Sequence, residues 1–245
     1  KATRDLLLNN LPRTTEFLNQ NINLLEKSIE WSKKLDHSYL PIQGPPGTGK
    51  SYTASHIIYE LIKSGKKIGV TALSHKVIIN LLSKIQEVAD KNGVVIKMLY
   101  KDSATNNEEF TWDIAKSTAD VISSIKDYNL IAGTSFMFCN ESFQESLDYL
   151  FIDEAGQYSI IETVVVSHAA KNIILLGDHQ QFKLLIKGVQ PEGTDVSALE
   201  HLLEGKKTIS DAKGVFLEKT WRMNPSVCSF DSEMFYESRL HAVAG

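Results

Sequence analysis

The sequence predicts an α/β fold with a mainly parallel sheet and helices on both of its faces. Strand-like runs alternate with helix-like runs through most of the 245 residues, and this alternation is typical of a parallel sheet. Three later strand candidates are apolar throughout instead of alternating with polar residues, as expected where helices cover both faces. These candidates are LIAGT (130–134), YLFID (149–153) and NIILLGD (172–178).

The first part of the chain, up to about residue 99, is predicted to alternate helix and strand. Apolar side chains recur every three or four positions in its three helices, and Ser64-Gly65 and Asn92-Gly93 end the second and third helices. Ser74 is placed to cap the third helix. The predicted helices are 18–35, the run around Ala54, Ile58 and Leu61, and the run from Val77 to Val88; the predicted strands are 38–43, 68–72 and 94–99.

Two further segments are predicted with less regular structure. Residues 101–129 are more polar and lack a strand pattern, which indicates a helical insertion or a surface excursion. The run VFLEKT (215–220) is a possible last strand. Ligands of open parallel sheets bind at the carboxyl ends of the strands, so the residues that follow each strand are the candidates for chemistry.

Composition excludes several classes of protein. The formal net charge is −4, so the surface as a whole has no electrostatic attraction for nucleic acid or acidic membranes. Cys139 and Cys228 show neither a C-x-x-C pattern nor zinc-spaced histidines, which favours a reducing, cytoplasmic compartment over a disulfide framework or structural zinc. No run reaches the roughly 18 apolar residues of a membrane span. Lys1 is not preceded by Met or a leader, so we expect a piece of a longer protein.

The strongest motif is GPPGTGKS at residues 44–51, between a predicted strand and a predicted helix. Glycines let successive backbone N–H groups face one anion, and the helix N-terminus adds partial positive charge. Lys50 is placed to reach the β- and γ-phosphates of a nucleotide, and Ser51 to ligate Mg²⁺. The alternative is a Gly-rich turn that arose by chance.

Adjacent carboxylates follow the strand YLFID. Asp153 is predicted to bind Mg²⁺ and Glu154 to activate the attacking water. A site for a magnesium-bound triphosphate needs such carboxylates in addition to the phosphate loop. An acidic pair after a strand is also common at a helix N-terminus, and the phosphate loop favours the catalytic interpretation.

Two weaker motifs complete the predicted nucleotide site. Gln181, after the turn Gly177-Asp178, is a neutral amide that can sense a γ-phosphate, although a polar turn is the alternative. Trp221-Arg222 stands out because the chain has 22 Lys but only four Arg. A guanidinium offers a planar fork to phosphate oxygens and an indole offers a face to a base, whereas a packing pair would be the ordinary explanation.

Read together, these motifs resemble the first motor domain of superfamily 1 helicases, subclass B, the group that includes the nonsense-mediated-decay helicase. TALSHK (71–76) and GVQPEG (188–193) are most similar to a bacterial branch in which a RecB-like nuclease precedes the helicase. The resemblance covers about residues 36–240. Its stretches are IQGPPGTGKS (42–51), VTALSHKVIINLL (70–82), LIAGTS (130–135), FIDEAGQ (151–157), LLGDHQQ (175–181) and TWRMNPSVCSF (220–230).

The resemblance implies a RecA-like P-loop NTPase fold and assigns roles at the nucleotide site. Arg222 would approach the γ-phosphate, Trp221 would replace the family's adenine-stacking Tyr, and Gln20 or Gln43 would read adenine. Lys50, Glu154, Gln181 and Arg222 are thus the predicted catalytic residues, and Ser51 and Asp153 the predicted metal ligands. The predicted nucleotide-binding residues are Gly44, Pro45, Pro46, Gly47, Thr48, Gly49, Lys50, Ser51, Tyr52, Gln181, Trp221 and Arg222.

The resemblance also implies a track for single-stranded nucleic acid, with DNA favoured over RNA. Backbone contacts through hydroxyls and helix N-termini would compensate for the negative net charge. Thr71, Ser74, His75 and Thr134 are the predicted track residues. For His75, exposure to water in the first turn of a helix is an equal alternative.

As a whole, residues 1–245 are predicted to be one RecA-like motor domain of an ATP-dependent helicase. Residues 1–36 would form a helical lead-in, 101–129 an insertion, and 225–245 the start of a connection to a second RecA-like domain. A RecB-like nuclease could share the parent chain. The alternatives are a P-loop ATPase that remodels a protein or nuclease partner, and a degenerate fold kept as a binding module.

Overall fold

The computed structural model describes residues 1–14, 23–103, 110–180 and 194–243. Its helices are α1 (Ala2–Leu7), α2 (Leu24–Lys34), α3 (Lys50–Lys63), α4 (His75–Lys91), α5 (Thr118–Ser124), α6 (Ser135–Phe138), α7 (Ile160–Ser167), α8 (Ala198–Leu203) and α9 (Pro225–Phe235). Its strands are β1 (Tyr39–Gln43), β2 (Ile68–Thr71), β3 (Met98–Lys101), β4 (Asp113–Ala115), β5 (Leu130–Ala132), β6 (Leu147–Ile152), β7 (Ala170–Gly177), β8 (Val215–Phe216), β9 (Lys219–Thr220) and β10 (His241–Ala242).

Eight of these strands form one sheet in the order β4-β3-β5-β2-β6-β7-β1-β8. Every neighbouring pair is parallel, and a separate pair, β9 with β10, is parallel too. Parallel neighbours need crossover connections, and most of these are the helices between the strands. The α/β fold with a mainly parallel sheet, predicted from the alternation of strand and helix, is confirmed.

Helices cover both faces of the sheet, as the uniformly apolar strands predicted. Successive residues of β1 enter opposite layers: Leu40 packs with residues of α2, α3 and α4, whereas Tyr39 packs with residues of α1, α7 and α8. Both side chains are fully buried, and every residue of β1 is buried. The sheet therefore has no solvent-exposed face at the strand that leads into the phosphate loop.

The register of the central strands brings the candidate residues to one edge. Gln43 at the end of β1 pairs with Gly177 at the end of β7, and the Gly44 N–H donates to the Gly177 carbonyl at 2.9 Å. On the other side, Thr71 at the end of β2 pairs with Ile152 at the end of β6. The segments that follow these four strands consequently lie side by side.

Three details differ from the expectations. The segment 101–129 contains helix α5, as expected, but β4 was missed: it pairs with β3 and forms an edge of the sheet. A strand of three residues with a partly exposed pattern gives too weak a signal. Residues 94–97 precede β3 instead of belonging to it, and the run 215–220 divides into β8 and β9.

The two ends of the described chain pack onto the body of the fold. The lead-in supplies α1 and α2. Helix α2 corresponds to the helix predicted over 18–35, whose first residues lie outside the described ranges. In the segment 225–243, Cys228 and Leu240 are buried in the core cluster that includes Tyr39. Within the described ranges, no helix combines the length and the apolar character that crossing a membrane requires.

Candidate nucleotide-binding site

The phosphate loop connects the end of β1 to the start of α3. Gly47 and Gly49 have φ angles of +76° and +86°, a region that glycine enters without steric penalty, and Gly49 is the N-cap residue that precedes α3. The Thr48 hydroxyl donates to the Pro45 carbonyl at 2.7 Å, and the Lys50 ammonium donates to the Gly44 carbonyl at 2.6 Å. These bonds hold a compact loop at the N-terminus of a long helix, where an anion is favoured.

The turn that carries Trp221 and Arg222 is bonded to this loop. The Trp221 N–H donates to the Gly47 carbonyl at 3.0 Å, and the Thr220 hydroxyl donates to the Pro46 carbonyl at 2.9 Å. The segment after β9 is thereby held against the phosphate loop. This contact places Arg222 beside the phosphate loop, on the wall of the same cavity.

The acidic pair follows β6 directly. Asp153 is buried, its N–H donates to the Thr71 carbonyl at 2.9 Å, and its Oδ1 accepts a hydrogen bond from the Glu154 N–H at 2.8 Å. Burial raises the pKa of Asp153 to about 6, with the Glu154 charge acting in the same direction and Lys50 opposing it. The charge of this buried carboxyl group is therefore only partly compensated by its neighbours.

Glu154 adopts an unusual backbone conformation for its residue type. Its φ angle is +59°, in the left-handed region that non-glycine residues rarely occupy, and its side chain is half-buried. Strained backbone of this kind concentrates at functional sites. The next turn is also tight, since a Cβ on Gly156 would lie 2.2 Å from the Asp178 carbonyl oxygen. The two turns after β6 and β7 are therefore in direct contact.

One cavity of about 540 Å³ joins these parts. Its wall includes Lys50, Ser51, Tyr52, Glu154 and Arg222, together with Pro46, Gly47, Thr48 and Gly49 of the loop. Asp153 lies buried next to Glu154, outside this lining. The structure thus brings three of the four predicted catalytic residues to one space. Gln181, the fourth, lies outside the described residues, as does Gln20.

Helix α4 adds three residues to the cavity that the motifs did not identify. Asn80, Lys84 and Glu87 lie on its wall, and the Lys84 ammonium pairs with the Glu87 carboxylate at 2.8 Å. Their spacing of four and three residues forms a polar stripe beside the apolar face of α4. The polar stripe could be recognised in the sequence. That the stripe faces the phosphate loop is shown only by the packing of α4 beside α3.

The turn after β7 is anchored from several sides. Buried Asp178 accepts a hydrogen bond from the Tyr236 hydroxyl at 2.7 Å, and burial lowers the pKa of His179. The Gln43 amide NH₂ donates to the Lys207 carbonyl at 3.0 Å, and its oxygen accepts from the Ile209 N–H at 2.7 Å. The Gln43 side chain is therefore engaged in the fold, and these contacts give no support to its predicted role as the adenine reader.

Two aromatic side chains stand near the opening of the site. Trp221 is 73% exposed and does not line the cavity itself. Tyr52 is exposed on its wall, with its ring centroid 4.2 Å from that of His56. An exposed indole beside a phosphate loop is available to stack on a base. The structure therefore leaves room for the predicted stacking of Trp221 on adenine.

The predicted nucleic-acid residues divide into exposed and buried ones. Ser74 caps α4 by accepting from the Val77 N–H at 3.3 Å, and both Ser74 and His75 are exposed. Thr134 is half-buried at the start of α6, where its side chain makes no capping bond. Thr71 is fully buried, with its hydroxyl 3.2 Å from that of Tyr158. The burial of Thr71 does not support its prediction as a track residue, because all four residues of β2 are buried, whichever face of the sheet they point to.

Known proteins with similar sequences are helicases. The chain is 27% identical over 236 residues to ATP-dependent helicase NAM7 of Saccharomyces cerevisiae, covering 81% of this chain and 24% of that protein. It is 24% identical over 274 residues to DNA polymerase alpha-associated DNA helicase A of Schizosaccharomyces pombe, covering 92% and 40%. It is 27% identical over 233 residues to DNA replication ATP-dependent helicase/nuclease DNA2 of Gallus gallus, covering 90% and 22%. The chain therefore spans well under half the length of these relatives.

Solved structures show the same fold. The Arterivirus nonstructural protein 10 helicase with DNA has a TM-score of 0.53 at 13% identity, over 90% of this chain and 44% of that one. The PRRSV helicase has a TM-score of 0.51 at 11% identity, over 95% and 39%. The RecA-like fold and the resemblance to superfamily 1 helicases are confirmed. Because the AAA domain family matches residues 28–185, more than half of the chain, this protein belongs to that family.

Proposed function

We propose that this chain is the ATP-binding motor domain of an ATP-dependent helicase that translocates on single-stranded nucleic acid. The observation that carries the proposal is the cavity of about 540 Å³ where the phosphate loop, Glu154 and Arg222 meet. These groups come from distant parts of the chain, and a magnesium-bound triphosphate is the ligand that needs all of them at once. The sequence similarity to helicases supports the same conclusion.

Each residue has a role that follows from its chemistry and its place. The loop N–H groups and Lys50 bind the β- and γ-phosphates, and Arg222 stabilises the charge that develops on the γ-phosphate. Glu154 accepts a proton from the attacking water. Gln181 follows the turn anchored by Asp178, so we propose that it senses the γ-phosphate.

The residues present fit a magnesium ion. Ser51 offers a hydroxyl and Asp153 a buried carboxylate, and hard oxygen donors of this kind are the ligands that Mg²⁺ prefers. The raised pKa of Asp153 indicates a carboxylate that a cation would stabilise. When bound there with ATP, the metal would neutralise phosphate charge. Trp221, with Tyr52 near the opening, would contact the base.

The partners and location belong to the proposal as well. We propose single-stranded DNA in preference to RNA, because two of the relatives compared are named for DNA. A second RecA-like domain would supply another arginine, whose contribution to rate is on the order of 10³–10⁵. The helicase/nuclease name of one relative supports a nuclease in the parent chain. Two free cysteines suit a cytoplasmic location.

The test measures nucleotide binding and ADP formation by the 245-residue chain with DNA or RNA single strands. Lys50→Ala should lose nucleotide binding, whereas Glu154→Gln should bind nucleotide and stop hydrolysing it. Lys63→Ala is the matched control, because Lys63 is an exposed lysine at the far end of the same helix. Slow turnover that rises with single strands is expected. Turnover indifferent to both strands would contradict the helicase proposal and favour an ATPase that remodels a partner.

A further inference from the structure

The turn after β7 is the point at which the phosphate loop and the acidic pair meet. From the loop, the Gly44 N–H donates to the Gly177 carbonyl at 2.9 Å. From the acidic side, the Ala155 N–H donates to the Leu176 carbonyl at 2.8 Å. Both bonds join backbone groups, so a shift of this turn would be transmitted to both neighbours. The turn therefore helps to fix the shape of the nucleotide cavity, although its described residues do not line that cavity.

No space separates this turn from the turn that carries Glu154. A Cβ built on Gly156 would lie 2.2 Å from the Asp178 carbonyl oxygen, and a Cβ built on Gly177 would lie 2.7 Å from the Gly156 nitrogen. Glu154 lies on the wall of the cavity with a φ of +59°, so its side chain is directed by an uncommon backbone conformation. A displacement of Asp178 would consequently move the turn that directs Glu154.

Tyr236, the residue that follows α9, is the side chain that holds Asp178. Its hydroxyl donates to Asp178 Oδ2 at 2.7 Å, and both residues are buried. The other oxygen, Oδ1, accepts from the Gln180 N–H at a longer 3.3 Å. Burial and the Asp178 carboxylate raise the pKa of Tyr236, so the hydroxyl remains a donor. Without this charge-assisted bond, the buried carboxylate would have to rotate or shift towards another donor.

The end of α9 is fixed independently of the tyrosine hydroxyl. The next residue, Glu237, accepts a hydrogen bond from the Thr208 hydroxyl, which ties this end of the helix to another segment. The Tyr236 ring also packs near Phe216, with 6.1 Å between the ring centroids. Removing the hydroxyl alone should therefore leave α9 in place and release only Asp178.

We propose that Tyr236 is a positioning residue for ATP hydrolysis, whose hydroxyl holds Asp178 and thereby sets the placement of Glu154. The inference rests on the proposed function, in which Glu154 accepts the proton of the attacking water. Tyr236 does not line the cavity, so its effect should fall on the chemical step and not on nucleotide binding. A misplacement of about 1 Å can cost on the order of a hundredfold in rate, so even a small shift should be measurable.

The experiment measures two quantities in the 245-residue chain: kcat for ATP hydrolysis with a saturating single strand, and the dissociation constant of a non-hydrolysable magnesium–ATP analogue. Tyr236→Phe should lower kcat about tenfold and leave the dissociation constant within about twofold of the wild type, because only the water-activating group is displaced. Incorporating para-aminophenylalanine at position 236 restores a donor at the same place. That protein should recover the kcat of the wild type.

Tyr149→Phe is the matched control. The Tyr149 hydroxyl is also buried and donates to the Ser32 carbonyl at 2.8 Å, a bond between β6 and α2 that does not involve the turn after β7. This variant should lose a comparable amount of stability and keep the kcat of the wild type. Equal losses of kcat in both phenylalanine variants would assign Tyr236 a purely structural role and overturn the inference.

Three further outcomes would also decide the matter. Wild-type kcat in Tyr236→Phe, or a loss confined to nucleotide affinity, would overturn the inference. A low kcat in the para-aminophenylalanine protein would overturn it as well, and this readout holds even if Tyr236→Phe fails to fold. A wild type that neither binds nor hydrolyses ATP would instead contradict the proposed function itself.

Discussion

Gly47 and Arg222 are in such close contact that a Cβ built on Gly47 would lie 2.4 Å from the Cβ of Arg222. The closeness explains why glycine is required at this position in addition to its φ of +76°. It also ties the phosphate loop to a turn near the other end of the chain. The nucleotide site is thus assembled by packing between the loop and a distant turn.

Gly47→Ala tests this contact against backbone strain alone. Gly65 has a φ of +77° and no atom within 4 Å of its Cβ position, so Gly65→Ala introduces only the strain of a left-handed residue, about 1–2 kcal/mol. Gly47→Ala should lower the free energy of unfolding further and should also weaken nucleotide binding. Urea unfolding and nucleotide titration measure the two effects. Equal destabilisation with unchanged nucleotide affinity in both variants would refute the contact.

Tyr236→Phe tests the anchor of the turn after β7. Removing the hydroxyl leaves buried Asp178 without its 2.7 Å partner, and an unsatisfied buried group costs about 1–3 kcal/mol. Tyr128→Phe is the matched control, because Tyr128 donates to Asp113 at 2.8 Å in an exposed setting. We expect that control to change stability by less than about 0.5 kcal/mol. Similar small effects from both variants in chemical unfolding would show that Asp178 needs no such anchor.

Asp153→Asn should make the metal-free protein more stable at neutral pH while abolishing ATP hydrolysis. The folded pKa of Asp153, about 6, lies above the usual value near 3.9, so the folded state binds the proton more tightly than the unfolded state. Wild-type stability should therefore fall as pH rises from about 4 to 6, by on the order of 2 kcal/mol. The advantage of the variant should be present at pH 7.5 and absent at pH 4. A less stable variant at pH 7.5 would contradict this account.

Trp221→Ala should weaken the binding of ATP but leave the binding of inorganic triphosphate almost unchanged, because an exposed indole contributes through the base. The expected loss is about 5- to 30-fold for one stacked base. Competition titrations with ATP and triphosphate measure the difference. Equal affinity of the variant and the wild type for ATP would remove Trp221 from the site.

The phosphate loop and the acidic pair could be predicted because their signals are local. A strand, a Gly-rich turn and a helix follow one another around Lys50, and Asp153 directly ends an apolar run, so no knowledge of packing is needed. Short β4 was missed because three residues carry too little pattern. The prediction of Thr71 as a track residue came from the functional resemblance, whereas its burial depends on the packing that covers both faces of its strand.

Other parts of the site depend on contacts between distant segments. The role of Gln43 is set by backbone groups at residues 207–209, which no local pattern places beside β1. The contribution of Asn80 and Lys84 requires α4 to pack beside α3 with one particular face. These features follow from tertiary packing, and only the structure reveals them.

The most direct test of the central claim is calorimetric titration of a non-hydrolysable magnesium–ATP analogue into the wild type, Lys50→Ala, Arg222→Ala and Lys63→Ala. One binding site is predicted for the wild type and for Lys63→Ala, with matching affinities. Lys50→Ala should lose binding, and Arg222→Ala should weaken it by about tenfold, the effect of roughly 1.4 kcal/mol. Wild-type affinity in both the Lys50 and the Arg222 variants would contradict the convergence of these residues on one nucleotide.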